Sequence, residues 1–415
     1  MVYSLMNLHN DRYDPLYMGL VSPTKPLIVN ITILQYSYMN LTINSTVKVD
    51  VIVVNKITKQ AFSIVSGVTE CNTGFQINIG NYTLLITSNQ TGYVKLRYLL
   101  IPIYAIPYFG SGNGFPTGLV YYGVINKSGE LVGIPINTTE VVGYALINSL
   151  GAYSVVNGTK VFGAALQMNM IIEVLTLSGT KQFYWVQIST RFLINMSMIG
   201  FTDIVWNFTT PYSTLNASGL GKHVSTTAGY AYFYGSGAFP FDLPVLVRME
   251  VRTYVNQTTQ YPILQFFYIV KYFASPYPPD IFSDNVTLYV KAKQAYIEAN
   301  PYFRTEGGVS GYLYNDIELV FTGMGNGYSA HFYKLNAVLG LYYLNGSELV
   351  KFPSFLDFGI DTAEGATNVA VDLKDNPVHF IAGPQKMTWI DEDPSLSYFD
   401  SYNYINYIYE FLGYV

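Results

Sequence analysis

Alternation at a period of two runs through most of this chain and restricts its fold more than any other feature. Val47, Val49, Val51 and Val53 interleave with Lys48, Asp50, Ile52 and Val54, the pattern of a strand with one face on a core. Gly92–Tyr104 repeats it, with Val94, Leu96 and Tyr98 on one face and Lys95 and Arg97 on the other. The same signal recurs over 27–35, 75–87, 161–177, 182–192, 243–255, 261–273, 286–299, 316–322 and 331–344. Turn dipeptides punctuate these runs: Asn113-Gly114, Asn157-Gly158, Ser178-Gly179, Asn326-Gly327 and Asn345-Gly346. The expected class is all-β: a large antiparallel β-sandwich or jelly-roll-like architecture, in two packed β domains with little helix. The Thr-, Ser-, Gly- and Ala-rich stretch 207–238 is the candidate connection, giving domains 1–206 and 239–415. The Pro-rich segment 275–280 is the next candidate boundary, and only 396–412 reads as a helix.

Only 12% of the residues are charged, against about 25% in an ordinary soluble domain. Membrane helices do not account for the deficit. The longest apolar candidate, 262–275, is shorter than the roughly 18 residues a span needs and contains Gln265 and Lys271. Neutral polar groups, with 39 Tyr, must therefore cover the surface. Full protonation of the carboxylates would leave only 22 Lys+Arg and 4 His to repel one another, which limits acid unfolding. The composition predicts tolerance of low pH.

Cys71 is the single cysteine, so stability must come from the core rather than from an intrachain disulfide. Asn-x-Ser/Thr occurs at Asn30, Asn40, Asn44, Asn81, Asn89, Asn126, Asn137, Asn157, Asn195, Asn207, Asn216, Asn256, Asn285 and Asn345. That density points to an extracellular protein, secreted or at the cell surface, carrying N-linked glycans. No basic and apolar leader follows Met1, so a signal peptide is expected to have been removed.

Several signals carry no chemistry. Gly110–Gly114 and Gly323–Gly327 lack the lysine and the strand-to-helix setting of a phosphate loop and read as β-turns. His9, His223, His331 and His379 have no ligand spacing, so no metal and no cofactor are expected. The acidic balance, net −5, argues against nucleic acid.

Three segments place polar groups inside strands. In 165–187, Gln167, Asn169, Ile171 and Glu173 share one face. A turn centred on Gly179 would set Glu173 opposite Trp185 and diagonal to Gln187, an environment that raises a carboxyl's proton affinity. In 315–327, Ile317, Leu319 and Phe321 take one face and leave Asp316 and Glu318 on the other. In 358–365, Asp361-Thr362 echoes the Asp-Thr-Gly of pepsin-like proteases, but Ala363 replaces the glycine and there is no second copy.

The same segments carry a resemblance. Gln167 and Asn169 with Tyr184-Trp-Val-Gln187, then Asp316-Ile-Glu-Leu-Val-Phe321 and the glycines through Gly327, then Leu341-Tyr-Tyr-Leu-Asn-Gly-Ser347, then Phe358–Glu364, are similar in order and spacing to motifs of the thermopsin family. The resemblance implies a secreted, metal-independent acid endopeptidase of thermoacidophilic archaea, acting on polypeptides. On this reading Glu318 is the first catalytic candidate, followed by Asp361, Glu364 and Glu173, with Gln187 orienting water or stabilising an oxyanion. The family's Pro-x-Pro-Met-Gly-Ile-Ala-Asp-Tyr-Gly run is expected at Pro15–Pro23, where no Asp occurs. That departure motivates an alternative: a non-catalytic surface or filament protein that self-assembles through strand edges.

Overall fold

The computed structural model describes residues 16–33, 37–78, 80–102, 114–127, 130–209, 214–226, 229–272, 280–306, 312–374 and 377–390. Three quarters of them lie in β-strands, and a 3-10 turn at Ile194–Met196 is the only helical element among them. The all-β expectation holds. The candidate helix at 396–412, most of 275–280 and residues 110–113 of the first glycine loop lie outside the described residues.

Contacts divide the chain into two compact units, Met1–Ala105 and Ile106–Val415. Among the described residues the first holds six strands, with the long Ser37–Asn55 strand pairing three others. Its core includes Val49, Val51, Val53, Val94 and Leu96, the positions that the alternation assigns to a buried face. The division therefore falls at 105/106 rather than within 207–238. Residues there do not behave as a connection. Lys222–Thr226 and Gly229–Pro240 pair with each other, and the second continues the sheet beside Met198–Asn207. Small residues read as linker composition, yet Ala231 and Tyr232 are fully buried strand positions.

Among its described residues the second unit packs a 12-stranded against an 11-stranded sheet. Inward-facing residues of both, among them Met168, Val186, Leu319, Val247 and Leu339, form one large core. Strand Ala164–Thr176 lies mid-sheet in the first of these. One edge pairs Lys181–Leu193, and the other is shared between Ile317–Thr322 and Ala292–Glu306. Beyond Ile317–Thr322 come Thr117–Tyr121 and then Phe355–Phe358.

Two runs differ in detail from their sequence reading. The alternation over 286–299 spans two strands, Asp280–Leu288 and Ala292–Glu306. They meet at a tight turn where the Val290 N–H donates to the Leu288 carbonyl at 2.9 Å. The run 75–87 likewise covers the end of Ala61–Ile77 and all of Gly80–Thr87. Asn157-Gly158 forms the expected hairpin turn, with φ of 50° and 78°.

Candidate active site

The hairpin joining Ala164–Thr176 to Lys181–Leu193 closes differently from the sequence expectation. Thr176 and Thr180 bond to each other through backbone and hydroxyl groups, and Gly179 adopts φ 84°. This is a three-residue loop ending in a left-handed glycine, so the centre falls on Ser178. The register then pairs Glu173 with Phe183 and Ile171 with Trp185. Glu173 therefore does not lie opposite Trp185. Its carboxylate receives the Lys181 ammonium at 2.7 Å and the Tyr296 hydroxyl.

The shared face of the hairpin is as expected, and it is buried. Asn169 pairs with Gln187 on one side and with Glu318 on the other, so these three polar side chains form a row across the sheet face. Gln187 donates to Gln167 at 3.0 Å. Asn169 donates to Glu318 Oε1 at 3.1 Å. The same oxygen accepts the backbone N–H of Asp361 at 2.9 Å.

Asp361 arrives on an irregular segment that leaves strand Phe355–Phe358 and turns back toward Glu318. Its carboxyl, that of Glu318 and that of Asp316 offer oxygens within 4.8 Å of one another. The exposures are 0% for Asp316 and Glu318 and 4% for Asp361. Among the described residues neither Asp316 nor Glu318 makes an ion pair. Burial, then the charge of Asp361, pushes Glu318 up to about 8, although Asn169 and the N–H groups of Asp361 and Ile360 pull the other way. Burial, then Asp361 and Glu318, raise Asp316 well above the usual carboxyl range. Like charges this close cannot all ionise, so the trio holds protons in common.

Carboxylate oxygens at this spacing can also take a hard divalent cation, a ligand set that histidine spacing does not reveal. Protons compete with such a cation for the same oxygens, and the raised proton affinity favours protons in acid.

Two further acidic groups lie elsewhere. Glu364 fastens the loop that carries Asp361, accepting from the Thr362 hydroxyl and from the Gly327 N–H at 3.0 Å. Gly323–Gly327 is a turn, with Asn326 and Gly327 at φ 58° and 71°. Asp357, buried on the strand before the loop, accepts the Thr388 N–H at 2.7 Å, and burial lifts it to about 7. Asp316 and Asn169 were absent from the sequence-based candidates. The signal was available: both fall on the non-core side of their alternating runs.

A family model described as Thermopsin matches residues 101–369, a span holding every residue of the trio and its Asn169 partner. The chain belongs to the thermopsin family. It is also 33% identical over 277 residues to the thermopsin of Sulfolobus acidocaldarius, which covers 64% of this chain and 79% of that protein. The matched region begins at residue 101, so the Pro15–Pro23 run lies outside it. Inside it, Tyr121 ends strand Thr117–Tyr121, opposite Ile317. Tyr121 is buried and donates to the Ile134 carbonyl at 2.5 Å. No helix among the described residues is long and apolar enough to cross a membrane.

Proposed function

We propose that this chain is an extracellular acid endopeptidase whose catalytic centre is the carboxyl trio Asp316, Glu318 and Asp361. The observation that carries the reading is the geometry at Glu318. One of its oxygens is fixed by Asn169 and by the Asp361 N–H, and its carboxyl offers an oxygen within 4.8 Å of those of two neighbouring carboxyls. An ionised member of the trio can take a proton from water attacking a peptide carbonyl, while a protonated member gives one to the departing amide. Raised proton affinity keeps such a donor loaded in acid. Asn169 and Gln187 are amide donors or acceptors for the oxyanion or the water. Substrate access requires movement of the Gly359–Glu364 loop, because all three carboxyls are covered.

Family membership supports a polypeptide substrate. Export and N-glycosylation are supported by the sequons, none of whose fourteen asparagines is buried. Self-assembly through strand edges is the second reading. It is favoured by the terminal strand Leu16–Val21 of the first unit, which exposes Leu16, Met18 and Leu20 and lies outside the matched family region.

The deciding experiment digests an unfolded protein across pH 2–7 at elevated temperature with wild type and Glu318→Gln. Cleavage confined to acid and abolished in the folded variant supports the peptidase. Full activity of Glu318→Gln removes the trio from the chemistry. A folded wild type without cleavage transfers the case to assembly.

A further inference from the structure

Asp316 stands at a place where sheet register does not hold it. Strand Ala164–Thr176 gives residues 165–170 of one edge to Ile317–Thr322 and residues 171–176 to Ala292–Glu306. The first ladder ends at Met170↔Ile317, and Ile171 already pairs with Glu298. Asp316 falls at this handover, on the short connection between strands Tyr312–Asn315 and Ile317–Thr322.

The stem leading into it is irregular. Asn300 pairs with Asn315, but the next pair is Arg304 with Tyr314, so residues 301–303 bulge from one strand. A bulge disrupts the ladder locally, and something other than backbone pairing must fix the direction in which the chain re-enters the sheet. Glu298 supplies it. Its Oε1 accepts from the Asn300 amide at 3.0 Å and its Oε2 from the Asn315 amide at 2.8 Å. Asn300 in turn accepts the Tyr302 N–H at 3.0 Å and so ties in the bulge itself. Each carboxylate oxygen thus holds one strand of the stem. The group is 5% exposed, and its neighbours Glu173 and Lys181 lie on the same sheet face. Nothing in the proposed chemistry requires Glu298 to be there.

We propose that Glu298 is a positioning residue: by clamping Asn300 and Asn315 it aims Asp316 at Asp361 and Glu318. The inference rests on the reading of that trio as the catalytic centre. Glu298 touches no reacting group and acts only through Asn315, whose backbone leads directly into Asp316. A displacement of about 1 Å in a reacting group lowers a rate by up to about a hundredfold.

The test compares full-length Glu298→Ala, Glu298→Gln, Asn315→Ala and Glu318→Gln by kcat, KM and pH profile on one peptide substrate, with folding checked by circular dichroism. Glu298→Ala and Asn315→Ala should lower kcat about ten- to hundredfold with KM within about threefold. Their upper pH limb should move to lower pH, because Asp316 no longer crowds its partners. Glu298→Gln should recover most of kcat, since an amide can hold both asparagines after one side-chain flip. A folded Glu298→Ala with wild-type kcat and pH profile overturns the proposal. If Glu298→Ala does not fold, Asn315→Ala decides in the same way. Loss of activity in Glu318→Gln beside a wild-type Glu298→Ala defeats only this inference, whereas an active Glu318→Gln defeats the reading beneath it.

Discussion

Gly359 lies directly against the carboxylate of Glu318. A Cβ built at residue 359 would overlap Glu318 Oε2, with Val320 Cγ1 3.3 Å away. The Gly359 N–H is meanwhile fixed to the Pro116 carbonyl at 2.9 Å, so the loop cannot retreat without losing that bond. Gly359→Ala should therefore displace Glu318 or the Asp361 loop. The expected result is a folded protein, less stable by about 1–3 kcal/mol, with activity reduced about a hundredfold. Steady-state kinetics with a parallel thermal melt checks it. Wild-type kcat in this variant would show that the carboxylate has room that the structure denies it.

Asn169 sets the proton affinity of its neighbour. Its amide donates to Glu318 Oε1 and holds that carboxyl lower than burial alone would place it. Removing a donor to the charged form raises the pKa. Asn169→Ala should thus lower kcat and shift the limb at which Glu318 ionises to higher pH. A kcat profile from pH 3 to 9 reads both effects. A shift to lower pH would mean that the limb belongs to another group.

How much of this site was legible in the sequence depends on which bond is in question. The period of two assigned Leu319 to the core and Glu318 to the opposite face, because strand side chains alternate without exception along a regular ladder. Register was harder. Whether Glu173 meets Trp185 or Phe183 turns on whether the loop centres on Gly179 or Ser178, and dipeptide composition does not fix that centre. The meeting of Glu318 with Asp361 was beyond any periodicity. Those residues are 43 positions apart, and Asp361 sits on an irregular loop, so only the order of strands brings it back. The Thr/Ser/Gly composition of 207–238 misled for a related reason, since outer strands of a large sheet need few bulky residues.

Glu173 is bonded to Lys181 and Tyr296, four residues along the strand from Asn169 and so about 13 Å from the row that leads to Glu318. Glu173→Gln keeps an acceptor for Tyr296 and gives up the ion pair, whose lysine is 56% exposed. Activity should stay within about twofold and stability should fall by no more than ~1 kcal/mol. A loss of activity as large as that of Glu318→Gln would instead place Glu173 in the chemistry.

A second carboxyl pair, remote from the proposed chemistry, makes the fold itself sensitive to pH. Asp203 on strand Met198–Asn207 projects into the core between the sheets, where the Tyr268 hydroxyl from the facing sheet reaches both its carboxyl and the Thr202 carbonyl, the latter at 2.7 Å. Asp284, from the sheet of Tyr268, accepts the Tyr232 hydroxyl from the sheet of Asp203 and the Leu220 N–H at 3.0 Å. Burial raises Asp203 well above 3.8, the Tyr268 hydrogen bond pulls it down, and Asp284 adds to the rise. Between the unfolded and folded pKa values the native state binds more protons than the unfolded chain. Stability is therefore fully present below about pH 4 and is lost as pH rises through the folded value. Glu318, raised to about 8, and Asp357, raised to about 7, act in the same direction, a tenfold gain in proton affinity on folding corresponding to about 1.4 kcal/mol. The melting temperature of the wild type should fall steadily from pH 4 to pH 7. Asp203→Asn keeps an acceptor for Tyr268 without a titrating proton, so its decline over the same interval should be shallower, with the gain over wild type larger at pH 7 than at pH 4. A wild-type melting temperature that is flat or rises toward neutrality would mean that these carboxyls ionise in the folded state at little cost.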